Sequence, residues 1–166
     1  TGDIVLTWDA LTDYDAPVAN PVTKALASNG SVTFSGIYTR QTGSVQVTVT
    51  PSAASWSFTD VNSDVHTGSG NQTVTGILTG PITLSWNAFT GYVKPATPPT
   101  QMLTKDATVS FDGTYTREQG LVKVAATPDE ASWSFVDGDG NTHTGTGDVT
   151  DGIQVPAGLI SLTWQP

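Results

Sequence analysis

A chain of 166 residues is long enough for one ordinary domain or two small ones. Fifteen acidic residues against six basic give a net charge of -9, which argues against a nucleic-acid partner, because no Lys/Arg cluster is present to neutralise phosphates. Cysteine is absent, which removes a disulfide framework, a thiolate metal site and a cysteine nucleophile, and no apolar stretch is long enough for membrane insertion as a helix.

Glycine, proline and abundant Thr, Ser and Val push the chain towards short strands and tight turns, an all-β composition. In chain order, "GDIVLTW" (Gly2 to Trp8) is the first strand, with Ile4, Leu6 and Trp8 alternating against polar neighbours. In "SVTFSGIY", Val32, Phe34, Gly36 and Tyr38 share a face. Val45, Val47 and Val49 then oppose Ser44, Gln46 and Thr48, and after the turn "TPSAA", Trp56 and Phe58 oppose Ser55, Ser57 and Thr59. The turn "DVNSD" leads to "HTGSG", and Ile82, Leu84 and Trp86 form the apolar face of "GPITLSW". The loop "TGYVKPATPP", a short strand near Gln101 to Leu103 and the strand "TVSFDGTY" follow.

From there the order starts again. Gly2, Gly80 and Gly158 open three copies of one strand ("GDIVLTW", "GPITLSW", "GLISLTW"), a period of about 78 residues. Phe34, Gly36, Tyr38, Arg40, Trp56, Phe58, His66 and Gly70 fall on Phe111, Gly113, Tyr115, Arg117, Trp133, Phe135, His143 and Gly147. The expected fold is a set of tandem Ig-like antiparallel β-sandwich units, with the chain frame permuted relative to the unit. Residues 1–40 read as the later half of a unit, 41–118 as a complete unit and 119–166 as the earlier half of another. The two halves are complementary, so they are expected to complete each other within one chain, between neighbouring chains, or as part of a longer array. The chain itself is either processed or cut from something larger.

Tyr38, Gly43, Val45, Val47 and Pro51, then Trp56, Phe58 and Asp60, then Gly80, Ile82, Trp86, Gly91, Tyr92 and Pro95, make a pattern that resembles the PEGA-type and related Ig-like β-sandwich repeats of bacterial surface and secreted proteins. The first copy departs from it, with Asp13-Tyr14 in place of Gly91-Tyr92. The resemblance implies a spacer, stalk or assembly module without catalytic activity, at a bacterial cell surface or outside the cell.

The partner expected from the duplicated terminal strand is the chain itself, joined head to tail through Ile4, Leu6 and Trp8 at one end and Ile160, Leu162 and Trp164 at the other. A binding module is the alternative. Asp137, Asp139 and Asn141, like Asp60, Asn62 and Asp64, place oxygen atoms at alternate positions as a calcium loop does, although a hairpin turn favours the same residues and the closing Glu of an EF-hand is missing. Trp86 and Tyr92, at a strand end beside a loop, are the candidate glycan platform. An accessory domain of a large secreted protein is a further alternative. No resident cofactor is expected beyond that possible calcium. No serine stands in a nucleophile elbow, and His66 and His143 recur as parts of the repeat, so no enzyme is expected. Lys123 aligns with Gln46, which reads as a solvent-facing position rather than a crosslinking one.

Overall fold

Strand positions follow the alternation of apolar side chains. The computed structural model describes residues 1–165, and among them there is no helix. In the head, residues 1–40, the strands are β1 (Gly2–Leu6), β2 (Tyr14–Asp15), β3 (Val22–Leu26) and β4 (Thr39–Arg40). The centre, residues 41–118, carries β5 (Thr42–Thr50), β6 (Ser55–Thr59), β7 (Val65–Ser69), β8 (Gln72–Leu78), β9 (Gly80–Trp86), β10 (Tyr92–Val93), β11 (Gln101–Leu103), β12 (Thr108–Thr114) and β13 (Thr116–Arg117). The tail, from residue 119 on, carries β14 (Gln119–Val124), β15 (Ser132–Val136), β16 (Thr142–Thr146), β17 (Val149–Pro156) and β18 (Ser161–Gln165).

The centre is a β-sandwich. A four-stranded sheet in the order β11-β9-β6-β7 and a three-stranded sheet in the order β12-β5-β8 bury their inner faces against one core. Trp56 and Phe58 of β6 with Ile82, Leu84 and Trp86 of β9 come from one sheet; Val45, Val47 and Val49 of β5 with Phe111 of β12 come from the other. Each large side chain so buried contributes about 1.5–3 kcal/mol relative to exposure. The indole N–H of Trp56 is satisfied by the Gly70 carbonyl at 2.9 Å. Gly113 is required where Trp86 crosses β12, since a Cβ there would fall 2.6 Å from the indole ring.

One pairing departs from the antiparallel expectation. β12 lies beside β5 in parallel, in unbroken register from Thr108↔Ser44 to Thr114↔Thr50. Alternation assigns faces, not directions, and only strands joined by a tight hairpin are forced to be antiparallel. These two are the first and last long strands of the centre, so nothing local sets their sense. The consequence is that the chain enters the centre at one end of β5 and leaves from the far end of β12. At about 3.3 Å per residue the seven paired residues separate those ends by roughly 20 Å.

Tail and head are thinner. In the tail, β14-β17 and β16-β15-β18 close over a second, smaller cluster of Val124, Trp133, Phe135 and Val155. In the head, β1 pairs only β3 and β2 pairs only β4, and no buried hydrophobic cluster forms there among the described residues. Residues 31–38, expected as a strand, belong to none. Their counterpart β12 is held by β5, and the head has no strand equivalent to β5 to hold them.

Candidate assembly surfaces

The three copies of the Gly-to-Trp strand meet three different environments. In β9, Ile82 and Leu84 are fully buried and Trp86 is 4% exposed, because β6 lies on one side of the strand, β11 on the other and the valine sheet beneath. β18 keeps the β6-like neighbour, pairing β15 from Ser132↔Gln165 to Val136↔Ser161, but has no strand in the β11 position. Leu162 is therefore 44% and Trp164 52% exposed. β1 keeps the β11-like neighbour, pairing β3 from Gly2↔Leu26 to Leu6↔Val22, but has nothing in the β6 position, and Ile4 is 42% exposed.

Each end therefore lacks what the other holds. In the tail, the edge of β14 that corresponds to the β12 side of β5 is unpaired among the described residues, as is the outer edge of β18. In the head, residues 31–38 and β3 correspond to β12 and β11, the two strands that cover those edges in the centre. Phe34 and Tyr38 stay partly exposed, whereas Phe111 and Tyr115 are buried. The head does form the tryptophan seat of the centre. Trp8 lies against Gly36 and meets Tyr38 edge-on at 6.5 Å, as Trp86 lies against Gly113 and meets Tyr115 edge-on at 6.5 Å.

The junctions between the three parts are stereotyped. At the first, Gln41 N–H donates to the Asp13 carbonyl at 2.9 Å and the Gln41 carbonyl accepts from Thr79 N–H at 3.1 Å. At the second, Glu118 N–H donates to the Gly91 carbonyl at 2.9 Å and the Glu118 carbonyl accepts from Ala157 N–H at 2.8 Å. An arginine precedes each linker residue and lies over a tyrosine, Arg40 on Tyr14 at 5.1 Å and Arg117 on Tyr92 at 4.9 Å. Arg117 also donates to the Gly91 carbonyl at 2.7 Å and, through Nε and Nη2, to Asp139 at 2.9 and 2.8 Å. Lys105 reaches back to Asp15 at 2.7 Å, holding that carboxyl below its ordinary range together with Gln41. Successive parts are thus bonded through the backbone of one linker residue and through side chains that bypass it, Lys105 to Asp15 at the first junction and Arg117 to Asp139 at the second.

The acidic turns use their first carboxylate internally. Asp137 Oδ1 accepts from the N–H groups of Asp139 and Asn141 at 3.0 and 2.9 Å, and Oδ2 lies 2.9 Å from His143 Nε2. His143 and these donors hold the Asp137 carboxyl far below its usual range, against the opposing effect of burial. Asp60 repeats the arrangement with Asn62, Asp64 and His66; burial pushes its carboxyl up, and the bonds from His66 and the turn N–H groups outweigh that. His66 and His143 stack on Phe58 and Phe135 at 4.7 and 4.8 Å. Asp139 is spent on Arg117, and no group of three or more His, Asp or Glu converges on a cation position among the described residues. Calcium would have to displace these bonds, so the geometry is that of a braced turn.

Trp86 is a core residue and offers no ring face to a sugar. Tyr92 is half-buried, stacked on Phe89 at 4.8 Å and covered by Arg117. The candidate glycan platform is thus not assembled, because Gly113 admits the Trp86 ring into the core. Trp164 is the most exposed tryptophan, with Trp8 partly exposed.

An all-β sandwich with open strand edges at two ends is the class that fold and site define. No protein-family model matches the chain, and no curated protein matches it. Among solved structures it is similar to one described as the Bacillus anthracis TIE protein, with a TM-score of 0.64 at 13% identity over 99% of this chain and 36% of that one. The chain thus spans about a third of the length of that structure, and the likeness concerns the fold.

Proposed function

We propose that this chain is a non-catalytic structural element of a bacterial cell surface or extracellular filament, built as tandem sandwich units and joined head to tail by β-strand complementation. One observation carries the reading: the strand edges left open in the tail are those that β12 and β11 cover in the centre, and the head holds their counterparts as residues 31–38, which pair with nothing among the described residues, and β3, which pairs only β1. Burial of an alternating apolar face together with new ladder bonds supplies the joint. Head and tail attach at opposite ends of the centre, because β5 and β12 run parallel, so one chain's ends are poorly placed to complete each other. A heterologous contact of this kind propagates into a filament unless its rotation closes a ring. The test is light scattering across a concentration series. Growth in steps of the 17.3 kDa chain mass supports the reading, and a single chain mass at every concentration overturns it.

A further inference from the structure

A completed sandwich has one place for a Gly-to-Trp strand, between the β6 and β11 positions, yet a head docked on a tail brings two, β1 and β18. Resting on the head-to-tail reading, we infer that the joint is a strand exchange in which β1 is released and β18 of a second copy takes its place beside β3. β18 is the better anchored of the two. It pairs over five residues with β15, whose Trp133 and Phe135 form the tail core, and Ile160 packs against that cluster. β1 pairs over five residues with a strand that has no second neighbour, and Ile4 and Val5 remain exposed. Releasing β1 opens no hydrophobic cluster, although it lifts Trp8 from Gly36 and breaks its two bonds to Asn20, whereas releasing β18 would uncover the tail core.

The centre supplies the register. The pairs Gln101↔Ile82 and Leu103↔Gly80 transfer to Lys24↔Ile160 and Leu26↔Gly158 of the second copy. The pairs Val109↔Val45 and Phe111↔Val47 transfer to Val32↔Val122 and Phe34↔Val124, with residues 31–37 running parallel to β14. Trp164 then takes the seat on Gly36 that Trp8 vacates, with Tyr38 at its edge, as Trp86 sits on Gly113 beside Tyr115. This accounts in one step for an exposed tryptophan, an unpaired segment and a duplicated strand.

Ser110 Oγ lies 3.2 Å from Gln46 Oε1, and the equivalent pair across the joint is Thr33 and Lys123. The chain has no cysteine, so Thr33→Cys in one full-length population and Lys123→Cys in another report the register directly when the two are mixed and oxidised. A mixed disulfide is expected, well above the level given by Ser35→Cys, which lies two residues out of register. Ile4→Pro removes a donor from the β3-facing side of β1, the side on which the Trp8 N–H meets Asn20, and touches neither core, and it should raise the crosslinked fraction several-fold. Trp164→Ala, at a residue already exposed in the free chain, should lower it by about tenfold. If Ile4→Pro lowers crosslinking as Trp164→Ala does, β1 is part of the joint and the exchange is overturned, while head-to-tail assembly stands. If Thr33→Cys and Ser35→Cys crosslink alike, the register is overturned. If no mixed disulfide forms and light scattering finds only single chains, the assembly reading falls as well.

Discussion

Leu84 and Leu162 occupy the same place in two copies of one strand, opposite Phe58 and Phe135 respectively, and they differ in what covers them. Leu84 is fully buried, so Leu84→Ala removes its transfer energy and leaves a cavity, a cost of about 3 kcal/mol within the range for core leucines. Leu162 is 44% exposed, so Leu162→Ala forfeits about half the transfer energy and creates no closed cavity, a cost of about 1 kcal/mol. Urea unfolding of dilute protein followed by tryptophan fluorescence measures both, fitted with separate transitions because the two cores are distinct clusters. Raising the protein concentration should bring the Leu162→Ala cost towards that of Leu84→Ala, as a second copy covers the strand, and leave Leu84→Ala unchanged. Equal costs in dilute solution would refute the argument, since Leu162 would then be buried within the single chain.

Gly113→Ala places a Cβ against the buried Trp86 ring and should destabilise the centre by about 1–3 kcal/mol in the same assay, while Gly36→Ala, beside the partly exposed Trp8, should cost less. Arg117→Ala removes the side-chain bonds of the second junction, leaves the two Glu118 backbone bonds in place and touches neither core. Small-angle scattering should show a broader distribution of interatomic distances, with both unfolding transitions moved by less than about 1 kcal/mol, as for an exposed ion pair. The Asp60 and Asp137 carboxyls titrate below their ordinary value in the folded chain, so the stability they contribute is complete above about pH 4, the unfolded value, and is lost as pH falls through the folded one. The urea midpoint of the tail should fall on acidification below about pH 4 in the native chain and fall less in Asp137→Asn.

Faces were legible in the sequence where alternation was strict. Trp56 and Phe58, Ile82 to Trp86 and Val45 to Val49 all turn inward as their spacing dictates. Direction was not, because an alternating pattern reads the same along either sense of a strand, and β5 and β12 have no hairpin between them to decide it. The segment around Phe34 carries the same signal as β12 and still forms no ladder, since a strand needs a neighbour that its own residues do not encode. Asp137, Asp139 and Asn141 suit both a cation and an Asx turn. What separates the two is where the Asp137 oxygens point, and that depends on His143 six residues on. The recurrence of Arg40 and Arg117 was visible in the repeat, yet neither their place at the junctions nor their partners could be read from it. Asp139 holds Arg117, whereas Arg40 lies near Asp13 and donates to the Thr79 carbonyl.

The most direct test of the central claim, that the two ends of the chain are complementary halves of a joint, is sedimentation velocity on the full chain over a hundredfold range of concentration, beside the Trp164→Ala variant. The account predicts a ladder of species at multiples of 17.3 kDa that grows with concentration and moves to about tenfold higher concentration in Trp164→Ala. A single 17.3 kDa species throughout, or a ladder indifferent to Trp164, would contradict it.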